Sequence, residues 1–163
     1  MPLPVTLTIA AACGIMNLWL AARVVPGRMK GVMVGDGGDD RLLATMRAHA
    51  NFAEYAPIVL VLIAAIELSG GSQTWLWVAG AVFVIGRLAH AFGMTRKAPN
   101  PLRAVGILST WLVTLVLAVV WLAAGAGPLA GRVDDERAAG FQRRTFLVAE
   151  VPLREQAFGA AGK

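Results

Sequence analysis

The chain has 163 residues, of which 57% are hydrophobic and only 15% are charged, and its mean hydropathy is +0.64. This composition excludes a soluble domain of the same length and indicates a single-domain integral membrane protein. The net charge is +5, and the basic excess lies in residues 1–130, beside the apolar runs. That distribution excludes a nucleic acid partner, because no basic cluster lies on an otherwise soluble element. With Cys13 as its one cysteine, the chain can build neither an internal disulfide nor a cysteine metal cluster, and we expect no metal site.

Four apolar segments, taken in chain order, are long enough to cross a bilayer core, which requires about 20 helical residues. We expect Pro26–Gly27 to stop the first helix, and "GDGGDD" (35–40) to form a loop. Asp39 or Asp40 is well placed to cap the second helix, Gly70–Gly71 closes it, and Pro99–Pro101 separates the third from the fourth. The sequence therefore predicts an all-α integral membrane four-helix bundle, with helices at about 5–23, 42–69, 74–93 and 104–124.

The end of the chain differs from the apolar part in composition. Residues 131–163 are charged, contain glycine and alanine, and have no sustained apolar stripe. We therefore expect a four-helix transmembrane domain over residues 1–130 and a soluble, flexible tail over residues 131–163.

The basic residues of the loops predict the orientation. The first loop carries Arg28, Lys30 and Arg41, and the third carries Arg96, Lys97 and Arg103, whereas the turn at 70–74 has no basic residue. Because lysine and arginine concentrate in cytoplasmic loops, we expect the first and third loops in the cytoplasm and the N-terminus outside.

Charged and polar residues inside the spans are the sequence's main functional signal. Arg47, Asn51 and Glu54 follow one another at helical spacing and share one face of the second helix, and Arg87 and His90 share a face of the third. A charge facing lipid costs at least a few kcal/mol, so these faces should turn toward protein or a water-filled cavity.

The predicted topology gathers these groups at one membrane face, together with Arg23 at the end of the first helix and Arg103 at the start of the fourth. Such a cluster suits an anion that also carries an ammonium group, because arginine matches carboxylates and Glu54 could hold an amine. The alternative is structural: Arg47–Glu54 or Glu54–Arg87 could be ion pairs that fix packing, and Asn51 could hydrogen-bond across helices.

Other polar and small residues favour structural roles. We expect His49 to be structural or interfacial, and Glu67 to reach the outer interface. Gly86, Ala89 and Gly93 form a small-residue stripe that favours close packing of the third helix. The "GDGGDD" loop lacks the residues of a phosphate loop or an EF-hand, which favours a turn followed by a helix cap.

The segments "MRAHANFAEYAP" (46–57) and "GRLAHAFG" (86–93) resemble the MAPEG family, the membrane-associated proteins in eicosanoid and glutathione metabolism. The resemblance is greatest to a bacterial, inner-membrane branch and covers about residues 5–125. It implies a homotrimer in a bacterial inner membrane, with glutathione as co-substrate bound between subunits near the cytoplasmic face. It assigns glutathione binding to Arg23, Arg47, Asn51, Glu54, Arg87 and His90, and stabilisation of the glutathione thiolate to Arg103.

Two positions depart from the family pattern. Met94 stands where family enzymes often have a tyrosine, and Ala104 where some prostaglandin-forming members have a serine. The resemblance thus implies glutathione binding more strongly than catalysis. The leading hypothesis is a glutathione-binding protein surrounded by membrane lipids, which, if active, is a transferase or peroxidase for small lipophilic electrophiles from the bilayer. The alternative is a non-enzymatic membrane scaffold or small-anion-binding module whose polar cluster fixes trimer packing.

Overall fold

The computed structural model describes residues 3–123, and all regular secondary structure in this range is helical. Each of the four helices is long and apolar enough to cross a membrane. The all-α membrane bundle predicted from the sequence is confirmed, while the predicted tail at 131–163 lies outside the described residues. The helices are α1 (Pro4–Arg28), α2 (Asp40–Leu68), α3 (Gln73–Met94) and α4 (Pro101–Ala123).

The predicted end of α1 was wrong. Pro26 does not stop the helix, which continues to Arg28 and is followed by Gly31 in the left-handed conformation, at φ 92°. Pro26 lies in the last turn, so its missing N–H removes a single backbone hydrogen bond, and its fixed φ is already helical. Membrane helices also tolerate proline better than soluble ones. The extra turn makes Arg28 the last residue of α1, and its guanidinium donates to the carbonyl oxygens of Val32 and Gly35 in the first loop at 3.1 and 2.8 Å.

Asp39 is the N-cap of α2, and it is one of the two residues predicted for that role. Its carboxylate accepts hydrogen bonds from the backbone N–H groups of Arg41 and Leu42 at 2.9 and 3.1 Å, and Lys30 lies 3.3 Å from its other oxygen. The hydrogen bond from the backbone N–H of Leu42 and the hydrogen bond from the side chain of Lys30 lower the pKa of Asp39 below its ordinary value. Asp39 is thus ionised at neutral pH, which suits the positive end of a helix dipole.

The helices pack through one apolar core with several close approaches. Val5, Leu20, Val59, Phe83 and Leu117 are among its fully buried members. A side chain placed on Gly27 would meet Leu42, and one placed on Gly80 would meet Ile9, so glycines let α1 approach both α2 and α3.

Glu67, which the sequence analysis expected at the outer interface, has a structural role at the end of the bundle where α1 begins. It is buried near the end of α2, and its carboxylate accepts from the backbone N–H groups of Val5 and Thr6 at 3.0 and 2.8 Å and from the Thr6 hydroxyl at 2.7 Å. These are the first N–H groups of α1, which have no partner within their own helix. Glu67 therefore caps α1 from α2 and ties the two helices together at this end of the bundle.

Candidate functional site

A cavity of about 550 Å³ opens between α2, α3 and α4. It combines charged, amide, imidazole and aromatic side chains with a few apolar ones. Of the seven residues predicted from the sequence, five line it. Its lining consists of Arg47, Ala50, Asn51, Glu54, Tyr55, His90, Met94, Arg103, Ile107 and Trp111.

The polar face of α2 forms one wall, as the spacing predicts. Arg47, Asn51 and Glu54 come one or nearly two helical turns apart and all line the cavity. Arg47 and Glu54 are exposed and Asn51 is half-buried in the single chain. The wall thus presents a cation, an amide and a carboxylate along about 10 Å of helix.

Arg87 lies behind this wall instead of in it. Only 1% of its surface is exposed, and it does not line the cavity. Its Nη2 donates to Asn51 Oδ1 at 2.8 Å, and its Nη1 donates to Thr110 Oγ1 at 3.3 Å. Arg87 therefore connects α3 with both α2 and α4, and it fixes which way the amide of Asn51 faces. In this position it is a positioning residue for the cavity.

His90 and Arg103 bring α3 and α4 to the opposite wall. Nδ1 of His90 lies 3.4 Å from the carbonyl oxygen of Arg103. A carbonyl can only accept, so Nδ1 carries the proton in this contact, and Nε2 of a neutral ring is left as an acceptor. The side chain of Arg103 is exposed at the cavity, at the start of α4.

Glycines hold these two residues in place. A side chain on Gly106 would collide with the backbone of His90 and Gly86, and one on Gly93 would collide with the backbone of Arg103. The helices α3 and α4 are therefore in backbone contact beside the cavity, as small-residue stripes allow. The predicted stripe on α3 is confirmed for Gly86 and Gly93, and Gly106 on α4 is the complementary position that the sequence analysis missed.

Tyr55 is a cavity residue that the sequence analysis did not assign to the site. Its hydroxyl accepts a hydrogen bond from Trp111 Nε1 at 2.8 Å, so its own O–H remains able to donate. Tyr55 follows Asn51 by four residues, and Trp111 follows Arg103 by eight, or about two turns. Helical spacing was therefore the signal that could have identified both.

Arg23, like Arg87, is a predicted site residue that does not line this cavity. Its guanidinium donates to the Ala91 carbonyl and the Thr95 hydroxyl, both at 3.3 Å, and it lines a separate cavity between α1 and α2. A role in glutathione binding stays a prediction for Arg23, and it requires a glutathione molecule held by a neighbouring subunit.

The ion pairs of the structural alternative are not formed. Within residues 3–123, the one pair of opposite charges closer than 4.0 Å is Lys30–Asp39, so Glu54 pairs with neither Arg47 nor Arg87. Asn51 does hydrogen-bond across helices, as that alternative expected. His49 also has a structural contact, since its Nε2 lies 2.9 Å from Asn17 Oδ1 of α1. The charges of the cavity wall are thus available to a ligand.

Comparison with known proteins identifies the family. The sequence model of the MAPEG family matches residues 6–123, which cover the four helices and the whole cavity wall. The chain belongs to the MAPEG family. This MAPEG chain is 38% identical over 93 residues to two proteins of Escherichia coli, from strain K12 and from strain O6:H1 CFT073, both named inner membrane protein YecN. The match covers 55% of this chain and 70% of each relative.

Proposed function

We propose that this MAPEG protein binds glutathione in the cavity between α2, α3 and α4. The observation that carries the proposal is the lining of that cavity, which places two arginines and one carboxylate around a space of about 550 Å³. Pockets for small ligands have about 300–1,000 Å³. Glutathione carries two carboxylates and one ammonium group, so its charges complement those of Arg47, Arg103 and Glu54.

Each residue of the wall has a role in this proposal. Arg47 binds a carboxylate, Glu54 accepts from the ammonium group, and Asn51 hydrogen-bonds the peptide. Arg87 contributes indirectly, because it orients the Asn51 amide from behind the wall. Nε2 of His90 accepts a hydrogen bond from the bound tripeptide.

We further propose that the bound thiol reacts with small lipophilic electrophiles that enter from the bilayer. Arg103 stabilises the thiolate, which lowers the pKa of the thiol and supplies the stronger nucleophile at neutral pH. The sulfur forms a bond to the electrophilic carbon, a leaving group departs with the electrons of its own bond, and the thiol proton goes to solvent. The O–H of Tyr55 is a second donor at this cavity, whose lining also contains Met94.

The assembly that we propose is a homotrimer in the bacterial inner membrane, with its first and third loops in the cytoplasm. Its support is the exposure of polar groups within the spans: Arg47, Glu54 and Arg103 at the cavity, and the Asn17–His49 contact between α1 and α2. Lipid would be a costly neighbour for such groups, and a second copy of the chain would cover them. The number of subunits is what the resemblance to the family implies, and the inner membrane is taken from the name of the relatives.

A non-enzymatic scaffold or anion-binding module is the competing function. The half-buried Asn51 and the buried Arg87 favour it, because both are occupied in contacts between helices. It predicts that glutathione has no effect on the protein.

Thermal unfolding in detergent separates the two functions. We expect millimolar glutathione to raise the melting temperature by roughly 3–6 °C, because a ligand of the folded state stabilises it by mass action. Arg47→Ala and Glu54→Ala should abolish the shift, whereas Arg96→Ala, which removes an exposed cation of the third loop, should keep it. If millimolar glutathione leaves the melting temperature of the wild-type protein unchanged, the glutathione-binding proposal is wrong.

A further inference from the structure

One face of α1 lines two cavities that share no residue with the proposed glutathione site. An apolar groove of about 470 Å³ lies between α1 and α3, and a basic cavity of about 410 Å³ lies between the end of α1 and the start of α2. Residues spaced three or four apart fall on one helical face. The groove and the basic cavity therefore follow each other along a single stripe of α1, which Lys30 extends just beyond the helix end. The stripe is formed by Ala12, Ile15, Met16, Trp19, Arg23, Pro26 and Gly27.

Arg23 lies where the groove meets the basic cavity. Its guanidinium carbon is 4.8 Å from the ring centroid of Trp19 and 5.9 Å from that of Phe92, and both rings line the groove. Its long hydrogen bonds to the end of α3 leave it within the lining of the basic cavity. The apolar surface thus ends at a fixed cation.

The basic cavity has a surplus of positive charge. Arg23, Lys30 and Arg41 line it, and Asp39 is the one carboxylate in its lining. The oxygens of Asp39 already accept from two backbone N–H groups and from Lys30. Arg41 also lies in the first turn of α2, where the helix dipole disfavours a cation. Helix stability therefore does not favour Arg41 at this position, whereas an anion in the cavity would.

The dimensions of the stripe match one leaflet of a membrane. From Ala12 to Arg23, at about 1.5 Å per residue, α1 rises about 16 Å. One half of a hydrocarbon core of about 30 Å is about 15 Å. An acyl chain in the groove would therefore place its phosphate at the level of Arg23.

We propose that this stripe binds one anionic phospholipid. Its phosphate lies among Arg23, Lys30 and Arg41, and one acyl chain lies in the groove against Trp19, Leu88 and Phe92. Basic pockets between membrane helices are a recurring site for anionic headgroups. The cavities have no lining residue in common with the proposed glutathione cavity. Because Arg23 is also a predicted glutathione ligand of a neighbouring subunit, the variants that test the lipid site leave Arg23 in place.

Native mass spectrometry of the full chain, released from detergent with added lipid, tests the proposal. We expect retained phosphatidylglycerol, and at least about tenfold less phosphatidylcholine with the same acyl chains. Lys30→Ala combined with Arg41→Ala should remove that preference, whereas Arg96→Ala combined with Lys97→Ala removes the same charge outside both cavities and should keep it. Ile15→Trp, at a groove position that is 71% exposed, should weaken retention by filling the groove without disturbing the core.

Four results would overturn the proposal. The first is equal retention of phosphatidylglycerol and phosphatidylcholine, and the second is an equal loss of the lipid preference in the Arg96→Ala, Lys97→Ala control. The third is unchanged lipid retention in Ile15→Trp. The fourth is displacement of the phospholipid by glycerol 3-phosphate alone. Glutathione stabilisation, measured on the Lys30→Ala, Arg41→Ala variant, should remain. If this double variant loses its stabilisation by glutathione but retains lipid, the basic cavity belongs to the glutathione site, which contradicts the lipid site. The expected lipid results, together with no glutathione binding by the wild type or by any variant, would refute the proposed function alone.

Discussion

Arg103 is the residue on which the proposed chemistry depends. A free thiol with a pKa of about 8.5 is only a few per cent ionised at neutral pH, and a pKa near 7 would make about half of it thiolate. We therefore expect Arg103→Ala to lower the rate of glutathione conjugation to an aromatic electrophile by about tenfold at neutral pH. Raising the pH should restore much of that rate, because it ionises the thiol without help from the guanidinium.

The matched control for this prediction is Arg96→Ala, a loss of the same charge in the loop that precedes α4. Arg103→Lys keeps the charge and should retain part of the rate. A conjugation rate that Arg103→Ala leaves unaltered would show that this residue does not stabilise the thiolate.

Arg87 is the most deeply buried charged side chain in the described range, and Asn51 gives it its shortest hydrogen bond. Asn51→Leu would leave that guanidinium with one hydrogen bond, to Thr110, inside the bundle. We expect a loss of about 2–3 kcal/mol in the free energy of unfolding, measured in detergent. Asn51→Asp keeps an acceptor oxygen and should lose much less stability. Equal stability of the leucine variant and the wild type would contradict the positioning role of Arg87.

The sequence predicted the direction of these side chains but not their depth. Helical spacing identified the shared face of Arg47, Asn51 and Glu54, and all three line one cavity. It could not place Arg87 behind that cavity, because a residue's depth depends on how closely the next helix packs. The cap from Glu67 to α1 was equally hidden, since it joins residues more than 60 positions apart.

At the scale of elements, the four spans were predictable because length and hydropathy determine them. The end of α1 was not, because proline is a weaker stop signal in a membrane helix than in a soluble one. The stripe of Gly86 and Gly93 predicted close packing of α3. Its partner could not be read from spacing, because Gly106 matters only through the register in which α4 meets α3.

Two glycines provide a matched test of that helix contact. Gly106→Ala places a methyl group against the backbone of His90, and we expect it to cost about 1–3 kcal/mol of unfolding free energy. Gly14→Ala lies on α1 with no atom within 4 Å of the added carbon, and it should leave stability unchanged or raise it by about 0.5–1 kcal/mol. Thermal unfolding of the two variants in the same detergent measures the difference. Equal effects would mean that α3 and α4 are not in backbone contact.

At the scale of the whole molecule, the polar residues divide between the two ends of the bundle. Glu67 and the start of α1 form a satisfied capping site at one end, whereas Arg23, Arg47, Arg87 and Arg103 all lie toward the other, in or beside cavities. The basic loops predicted this asymmetry from the sequence. Packing separated the cluster into a cavity suited to a zwitterionic tripeptide and another suited to an anionic headgroup.

Native mass spectrometry of the protein, released from detergent in the presence of millimolar glutathione, tests the central claim most directly. We expect a trimer that carries bound glutathione, and we expect Glu54→Ala to keep the trimer and lose the ligand, because that carboxylate holds the ammonium group. A monomer would contradict the proposed assembly. A protein that retains no glutathione at any concentration up to millimolar would contradict the proposed function itself.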